Sequence, residues 1–376
     1  MFVAACAAPA AAIDASVTDA MPWDVAAADS APDAARPDAA VEDVAPEPSP
    51  LTWDVRRPGP YATGYRTITF GFSPPGGGAE RVLTFHLWYP THATSGPHPR
   101  YFGLFVDPLS VVGAPLAPSS YGDHYPVHVY SHGDRGFGPT SHFLMRYFAS
   151  HGWISIAPDH LGNTLSDTPD PRPLGIYYLR GLDVSAALDA LEQLPATDPL
   201  SARTDTAHAL LSGHSFGTHT VWTALGAAYD VDLISARCTP AGTCSATDLA
   251  AFRAGTHDPR FVAGIPMAGS ISRDLFGPDG HRSVSVPLLS MSGSADPVGA
   301  DAQFTTTAPL PLTWIDVLGA CHQFFALGGC SDIANDQQSA IVGTYALAFA
   351  RRHVLNDGDP TVAGVLDGSI LVSSLV

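Results

Sequence analysis

Apolar and polar side chains alternate along residues 66–70 and again along 82–89, and the turn-rich run Ser73-Pro74-Pro75-Gly76-Gly77-Gly78 separates the two stretches. Alternation puts successive side chains on opposite faces of a strand, so the pair predicts an antiparallel hairpin. Farther along, the period changes. A short apolar run at 126–130 predicts a strand, 143–150 a helix and 153–157 a second strand. Within 177–194, Leu179, Leu182, Ala186, Ala187 and Leu191 recur at helical spacing. Strands at 207–211, 261–267, 286–291 and 312–317 follow, with a helix-compatible run at 218–228 and a closing helix at 337–352. Strands alternating with helices over this length predict an α/β fold, its central sheet mostly parallel and covered by helices on both faces. One domain, 53–376, accommodates all of it.

The residues ahead of that domain have another character. Residues 14–50 are mostly Ala, Asp and Pro, with too few large side chains to offset the entropy of ordering, and predict a disordered acidic linker. Residues 1–13 are small and apolar but lack the basic start of a signal peptide. Two readings fit them. One is the end of a truncated lipoprotein signal, Val3-Ala4-Ala5 preceding a lipidated Cys6, with the linker as a membrane tether. The other is an alanine-rich tail that happens to hold a cysteine.

Charge excludes one class of partner. The formal net charge is −18 and every one of the 18 basic residues is arginine, so a phosphate backbone would be repelled and no nucleic-acid partner is expected. The absence of lysine, beside so much alanine and proline, reads as coding bias. No apolar run reaches the ~18 residues that a spanning helix requires.

Chemistry enters at Gly213-His214-Ser215-Phe216-Gly217. This run follows the 207–211 strand and precedes a helix-compatible stretch, the setting of a nucleophile elbow, in which the glycines permit a sharp turn that exposes Ser215. A bare G-x-S-x-G occurs often by chance; the strand and helix around it give it meaning. The chain order serine, acid, histidine then directs attention downstream. Asp296 lies in the loop after the 286–291 strand. Alone it would read as a turn-forming Asp before Pro297, and its place after that strand makes it the candidate acid. Of 16 histidines only His322 and His353 follow it. His353 continues the closing helix after Arg351-Arg352, where a cation suits the helix dipole. His322 lies in the loop after the 312–317 strand and is the candidate general base. Two N–H donors for an oxyanion are expected from Phe216, next to the nucleophile, and from Asp134 in the loop Ser131-His132-Gly133-Asp134-Arg135-Gly136. The Asp134 side chain is expected to turn away from the developing anion, toward Arg135.

Beyond Cys6, four cysteines fall as two close pairs, Cys238 with Cys244 and Cys321 with Cys330. The short loops favour local bridges, and bridges imply an oxidising compartment, secreted or cell-envelope. A zinc site is the alternative, poorly served by these spacings. Residues 229–259, which hold the first pair, fall between the nucleophile helix and the next strand and predict a small cap.

Trp88-Tyr89-Pro90, Tyr130-Ser131-His132-Gly133, Ser150-His151-Gly152-Trp153 followed by Ala157-Pro158-Asp159-His160, and the 213–217 elbow together resemble the bacterial dienelactone-hydrolase-like and platelet-activating-factor acetylhydrolase-like esterases of the α/β-hydrolase superfamily. The likeness spans 59–322. Gly59-Pro60-Tyr61 and the general layout also resemble cutinase-like polyester hydrolases. The resemblance implies a cofactor-free serine esterase acting on small-molecule, lipid or polymer esters, with Ser215, Asp296 and His322 as triad and Phe216 and Asp134 as oxyanion donors. Dienelactone hydrolases use a cysteine nucleophile, so Ser215 does not imply lactone hydrolysis, and Asp134 stands where the family has an apolar residue. A serine peptidase or amidase on the same fold, and a non-catalytic surface lipoprotein, remain as alternatives.

Overall fold

The computed structural model describes residues 49–75, 79–238, 243–300, 307 and 310–376. Residues 1–48, with Cys6, the lipoprotein-like segment and nearly all of the expected linker, lie outside the described residues.

The strands are β1 (Ala62–Phe72), β2 (Arg81–Thr91), β3 (Arg100–Tyr101), β4 (Phe105–Val106), β5 (Ser110–Val112), β6 (Tyr125–Ser131), β7 (Ile154–Pro158), β8 (Thr204–His214), β9 (Phe261–Met267), β10 (Leu288–Gly293) and β11 (Leu312–Val317). The helices are α1 (His142–Ser150), α2 (Ile176–Glu192), α3 (Phe216–Ala224), α4 (Val231–Cys238), α5 (Ala246–Ala254), α6 (Arg273–Phe276), α7 (Thr344–His353) and α8 (Pro360–Leu366). Nine strands form one sheet in the order β11-β10-β9-β8-β6-β7-β2-β1-β5. The expected hairpin is present, β1 and β2 pairing antiparallel from Ala62 opposite Thr91 to Phe72 opposite Arg81. β2 meets β7 antiparallel, and each pair from β7 through β6, β8, β9 and β10 to β11 is parallel. This mostly parallel α/β sheet, with β7 placed between β2 and β6, is compatible with the α/β-hydrolase arrangement.

Strand alternation builds a core on each face. On β2 and β6, Leu83, Phe85, Leu87, Val127 and Val129 point to the side where α2 and α3 pack with Val184, Leu188, Leu191 and Val221. Trp88 and Tyr130, one residue out of phase, point to the other side, against Phe143 and Phe148 of α1 and Leu347 and Phe349 of α7. Burying a side chain of this size contributes roughly 1.5–3 kcal/mol, and the parallel strands, covered on both faces, are mostly apolar, with buried polar side chains such as His128, Ser155 and Ser212 among them.

Two expectations change and one gains detail. The closing helix is not continuous from 337: Ser339–Gly343 forms a wider π-type turn ahead of α7, where an added Cβ on Gly343 would lie 2.7 Å from the Tyr147 ring. The amphipathic reading of α2 holds in its second half but not its first, where Arg180 and Asp183 are buried and Leu179 and Leu182 only partly so. The expected cap contains two short helices, α4 and α5, the second opened by a reciprocal Ser245/Asp248 capping box. They enclose a separate apolar cluster of Ile234, Cys238, Phe252 and Leu275. Cys238 bonds Cys244, and Cys321 bonds Cys330. Both bridges are local, and with the sulfurs joined to one another the zinc reading falls.

Candidate active site

The C-terminal ends of the parallel strands bring the sequence-distant residues together. β8 ends in His214 and the chain turns at once into α3, leaving Ser215 at φ 55° and ψ −116°. That conformation costs a non-glycine residue about 1–3 kcal/mol and persists only where the surroundings enforce it. They do. The Ser215 N–H donates to the Met267 carbonyl on β9 at 2.9 Å. A Cβ at Gly213 would lie 2.3 Å from the Gly217 carbonyl oxygen, and one at Gly217 only 2.1 Å from that of Ser131. The elbow is thus wedged against β6 at a spacing that only glycine permits.

Ser215 Oγ lies 2.8 Å from His322 Nε2, and His322 Nδ1 lies 2.9 Å from Asp296 Oδ2. With Nδ1–H donating to the carboxylate, Nε2 is free to accept the serine hydroxyl. Asp296 is buried, and its other oxygen accepts the Val298 N–H at 2.9 Å. The acid and histidine loops are tied to each other by Ala295 N–H to Ala320 O at 3.1 Å and Gly319 N–H to Ser294 Oγ at 2.8 Å. On the elbow, His214 Nε2–H donates to the His322 carbonyl at 2.9 Å, so the residue before the serine holds the backbone of the histidine. Burial pushes the His214 imidazole down to about 3, which keeps it a neutral donor. His353 sits at the end of α7 with its ring on Phe349, in another part of the fold.

The two expected oxyanion donors flank the serine. Phe216 supplies the first N–H of α3, one of those a helix leaves without an intrahelical acceptor. On the other side, a Cβ at Gly133 would come within 3.2 Å of Ser215 Cβ, so the His132-Gly133-Asp134 loop runs directly beside Ser215. The Gly133 carbonyl accepts from His132 Nδ1 at 2.7 Å and from the Gly136 N–H at 3.1 Å. The Asp134 N–H belongs to the same planar peptide and points the opposite way from that carbonyl. His132 is itself locked: its Nε2 accepts the His160 N–H at 3.1 Å, which puts the ring proton on Nδ1. Burial and the neighbouring His160 hold it well below the usual imidazole range. The Asp134 side chain does turn away, but not toward Arg135: it accepts from Asn163 Nδ2 at 2.7 Å and from the Arg172 guanidinium at 2.6 Å.

Sequence reasoning missed the buried polar layer beneath this loop. Arg81 grips Asp183 through two bonds of 2.8 Å. Asp183 meets His160 Nδ1 at 3.0 Å, and His160 Nε2 meets Ser131 Oγ at 2.9 Å. Arg180 lies fully buried beside them. No local pattern marks these residues, since Arg81 and Asp183 are 102 positions apart; the one available signal was two charged residues on the inner face of a helix read as apolar.

A cavity of about 320 Å³ opens at Ser215, lined by Arg172, Tyr177, Phe216, His219, Ala268 and Val298 among others. It shares Asp134, Arg172, Tyr177 and Asp274 with a larger space of about 670 Å³ running under α4 past Ile234, Cys238 and Leu275. These volumes suit a small organic ligand. Among the described residues, no group of three or more His, Cys, Asp or Glu is arranged to hold a metal ion, and no helix is long and apolar enough to cross a membrane. Neither protein-family models nor curated proteins yield a match to the chain.

Proposed function

We propose that the protein is a serine hydrolase of carboxylic esters built on an α/β-hydrolase scaffold. The observation that carries the reading is the unbroken chain from Ser215 through His322 to a buried Asp296, at 2.8 and 2.9 Å. In this reading His322 takes the Ser215 proton as Oγ attacks the ester carbonyl. Asp296 orients the ring and stabilises the imidazolium, and the Phe216 and Asp134 amides receive the tetrahedral oxyanion. Collapse expels the alcohol, protonated by His322, and leaves an acyl-enzyme. Water then repeats the sequence to release the acid and restore Ser215.

The withdrawal of the Asp134 carboxylate toward Asn163 and Arg172 supports an oxyanion role for its amide, since the negative charge is drawn off into an ion pair. The cavity beside Ser215 favours a short to medium acyl group, with the space under α4 for the rest of a lipid-like or polymeric ester. The dienelactone-hydrolase-like and acetylhydrolase-like resemblance agrees with this substrate range. Two disulfides fit an oxidising, extracytoplasmic compartment, and tethering through a lipidated Cys6 belongs to the proposal. A chain-length series of p-nitrophenyl esters beside matched anilides tests it. Ester turnover far above anilide turnover is the expected result; faster anilide cleavage would favour the peptidase reading, and turnover of neither would leave a non-catalytic protein.

A further inference from the structure

Arg180 is engaged in an unusual way. It is fully buried on α2, yet every hydrogen bond it makes goes to a neutral acceptor. Nε donates to Thr220 Oγ1 at 3.1 Å and NH1 to Asn163 Oδ1 at 2.5 Å. NH2 donates to Ser131 Oγ at 3.1 Å and to the His132 carbonyl. The two carboxylates nearest in the network are taken: Asp183 by Arg81 and His160, Asp134 by Asn163 and Arg172. Arg81 and Asp183 cancel, His160 is neutral, and Arg180 leaves one positive charge in the interior. Burial pulls its guanidinium down to about 9, still charged at neutral pH. A buried cation that makes no hydrogen bond to a carboxylate works against folding, so its position calls for a use.

That use lies within reach. The guanidinium sits 4.5 Å from the centre of the Phe216 ring, whose own amide is one proposed oxyanion donor. It holds the carbonyl of His132, one residue ahead of the peptide that carries the other. Through Asn163 it is linked to the Asp134 side chain. We infer that Arg180 is the positioning residue of the oxyanion hole, fixing the 132–134 loop and supplying a preorganised positive field that favours the negative charge of the tetrahedral intermediate over the neutral ester. The inference rests on the ester-hydrolase reading. Fixed charge aimed at a developing oxyanion in a dry site lowers the barrier while leaving ground-state binding alone.

Purified Arg180→Met, Arg180→Lys and the exchange Asn163→Asp/Asp134→Asn are compared with the unaltered protein on p-nitrophenyl butyrate, and the Ki of an aryl trifluoromethyl ketone, which forms the tetrahedral adduct on Ser215, is measured for each. The exchange preserves the net charge and allows a bond between positions 134 and 163, but moves the carboxylate from Arg172 onto Arg180. It therefore tests the field even if Arg180→Met does not fold. Arg180→Met should lower kcat about a hundredfold and weaken the ketone by a similar factor, with KM changed less than about threefold. Arg180→Lys, which restores the charge, should recover about tenfold, and the exchange should lose about tenfold. Folded variants whose kcat and ketone Ki match the unaltered protein, or whose KM rises in step with the kcat loss, would overturn the inference. If the unaltered protein neither turns over esters nor reacts with a fluorophosphonate at Ser215, the hydrolase reading itself fails.

Discussion

Removing the Cys321–Cys330 bridge by Cys321→Ser/Cys330→Ser should damage turnover far more than stability. The bridge spans nine positions and starts at the residue before His322. For a loop this short the chain-entropy contribution is roughly 2–3 kcal/mol. Spread over the unfolding entropy of a domain this size, that is a fall in Tm of about 4 °C. The local effect is larger. Cys321 N–H points at Cys330 Sγ at 3.0 Å, and the Cys321 carbonyl accepts the Phe324 N–H at 3.0 Å, so the bridge closes the turn that carries His322. Without it, the His322 turn loses its covalent closure, and its position rests on the bond from His214 to the main chain and the bond from the ring to Asp296, which leave the turn room to shift. Displacement of a reacting group by about 1 Å can cost on the order of a hundredfold in rate. The expected outcome is a kcat loss of about ten- to a hundredfold on a soluble ester, at a temperature well below both melting points. Cys238→Ser/Cys244→Ser is the control; its bridge belongs to the cap cluster, so KM or chain-length preference should move instead. A folded Cys321→Ser/Cys330→Ser protein with unchanged kcat would refute the reasoning and leave the bridge a staple.

Two further outcomes follow from packing and from burial. Gly217→Ala would set a methyl 2.1 Å from the Ser131 carbonyl oxygen and should destabilise by about 3 kcal/mol or prevent folding; Gly358→Ala, at an open site with nothing near the added atom, should melt like the unaltered protein. Burial lowers His128, His214 and His219 to about 3, and His142 and His151 to about 4. Unfolded imidazoles take up protons below about pH 6.5 while these folded ones stay neutral, so their stability is present above that pH and is lost as pH falls toward 3–4. Each contributes a slope of up to about 1.4 kcal/mol per pH unit, and Tm should drop on the order of 10 °C between pH 7 and 5. A melting profile flat over that range would contradict the neutral, buried assignment.

The strands and the elbow were legible because their causes are local. Alternation, apolar runs and punctuating Gly and Pro set out the hairpin and six of the parallel strands, and G-x-S-x-G after a strand located Ser215. Chain order then singled out Asp296 and His322, which the structure brings into hydrogen-bond reach. Short pieces such as β3, β4, α6 and α8 left no pattern long enough to read. The first half of α2 was misread for a different reason. Hydrophobic period assumes that charge lies outside, and Arg180 and Asp183 are held inside by partners from β2, β6 and the loop after β7. Likewise Arg135 follows Asp134 in the chain, but its backbone is left-handed at φ 53°, and Arg172, 38 positions away, takes the ion pair.

The central claim is that Ser215 is a nucleophile activated by His322. Its most direct test is intact-mass and peptide mapping after brief exposure to a fluorophosphonate, on the unaltered protein and on Ser215→Ala, each confirmed folded by circular dichroism. The account predicts one phosphonyl group per chain, on Ser215, formed in step with loss of ester turnover, and neither labelling nor turnover in Ser215→Ala. Labelling at another residue, or ester turnover that survives in folded Ser215→Ala, would contradict it.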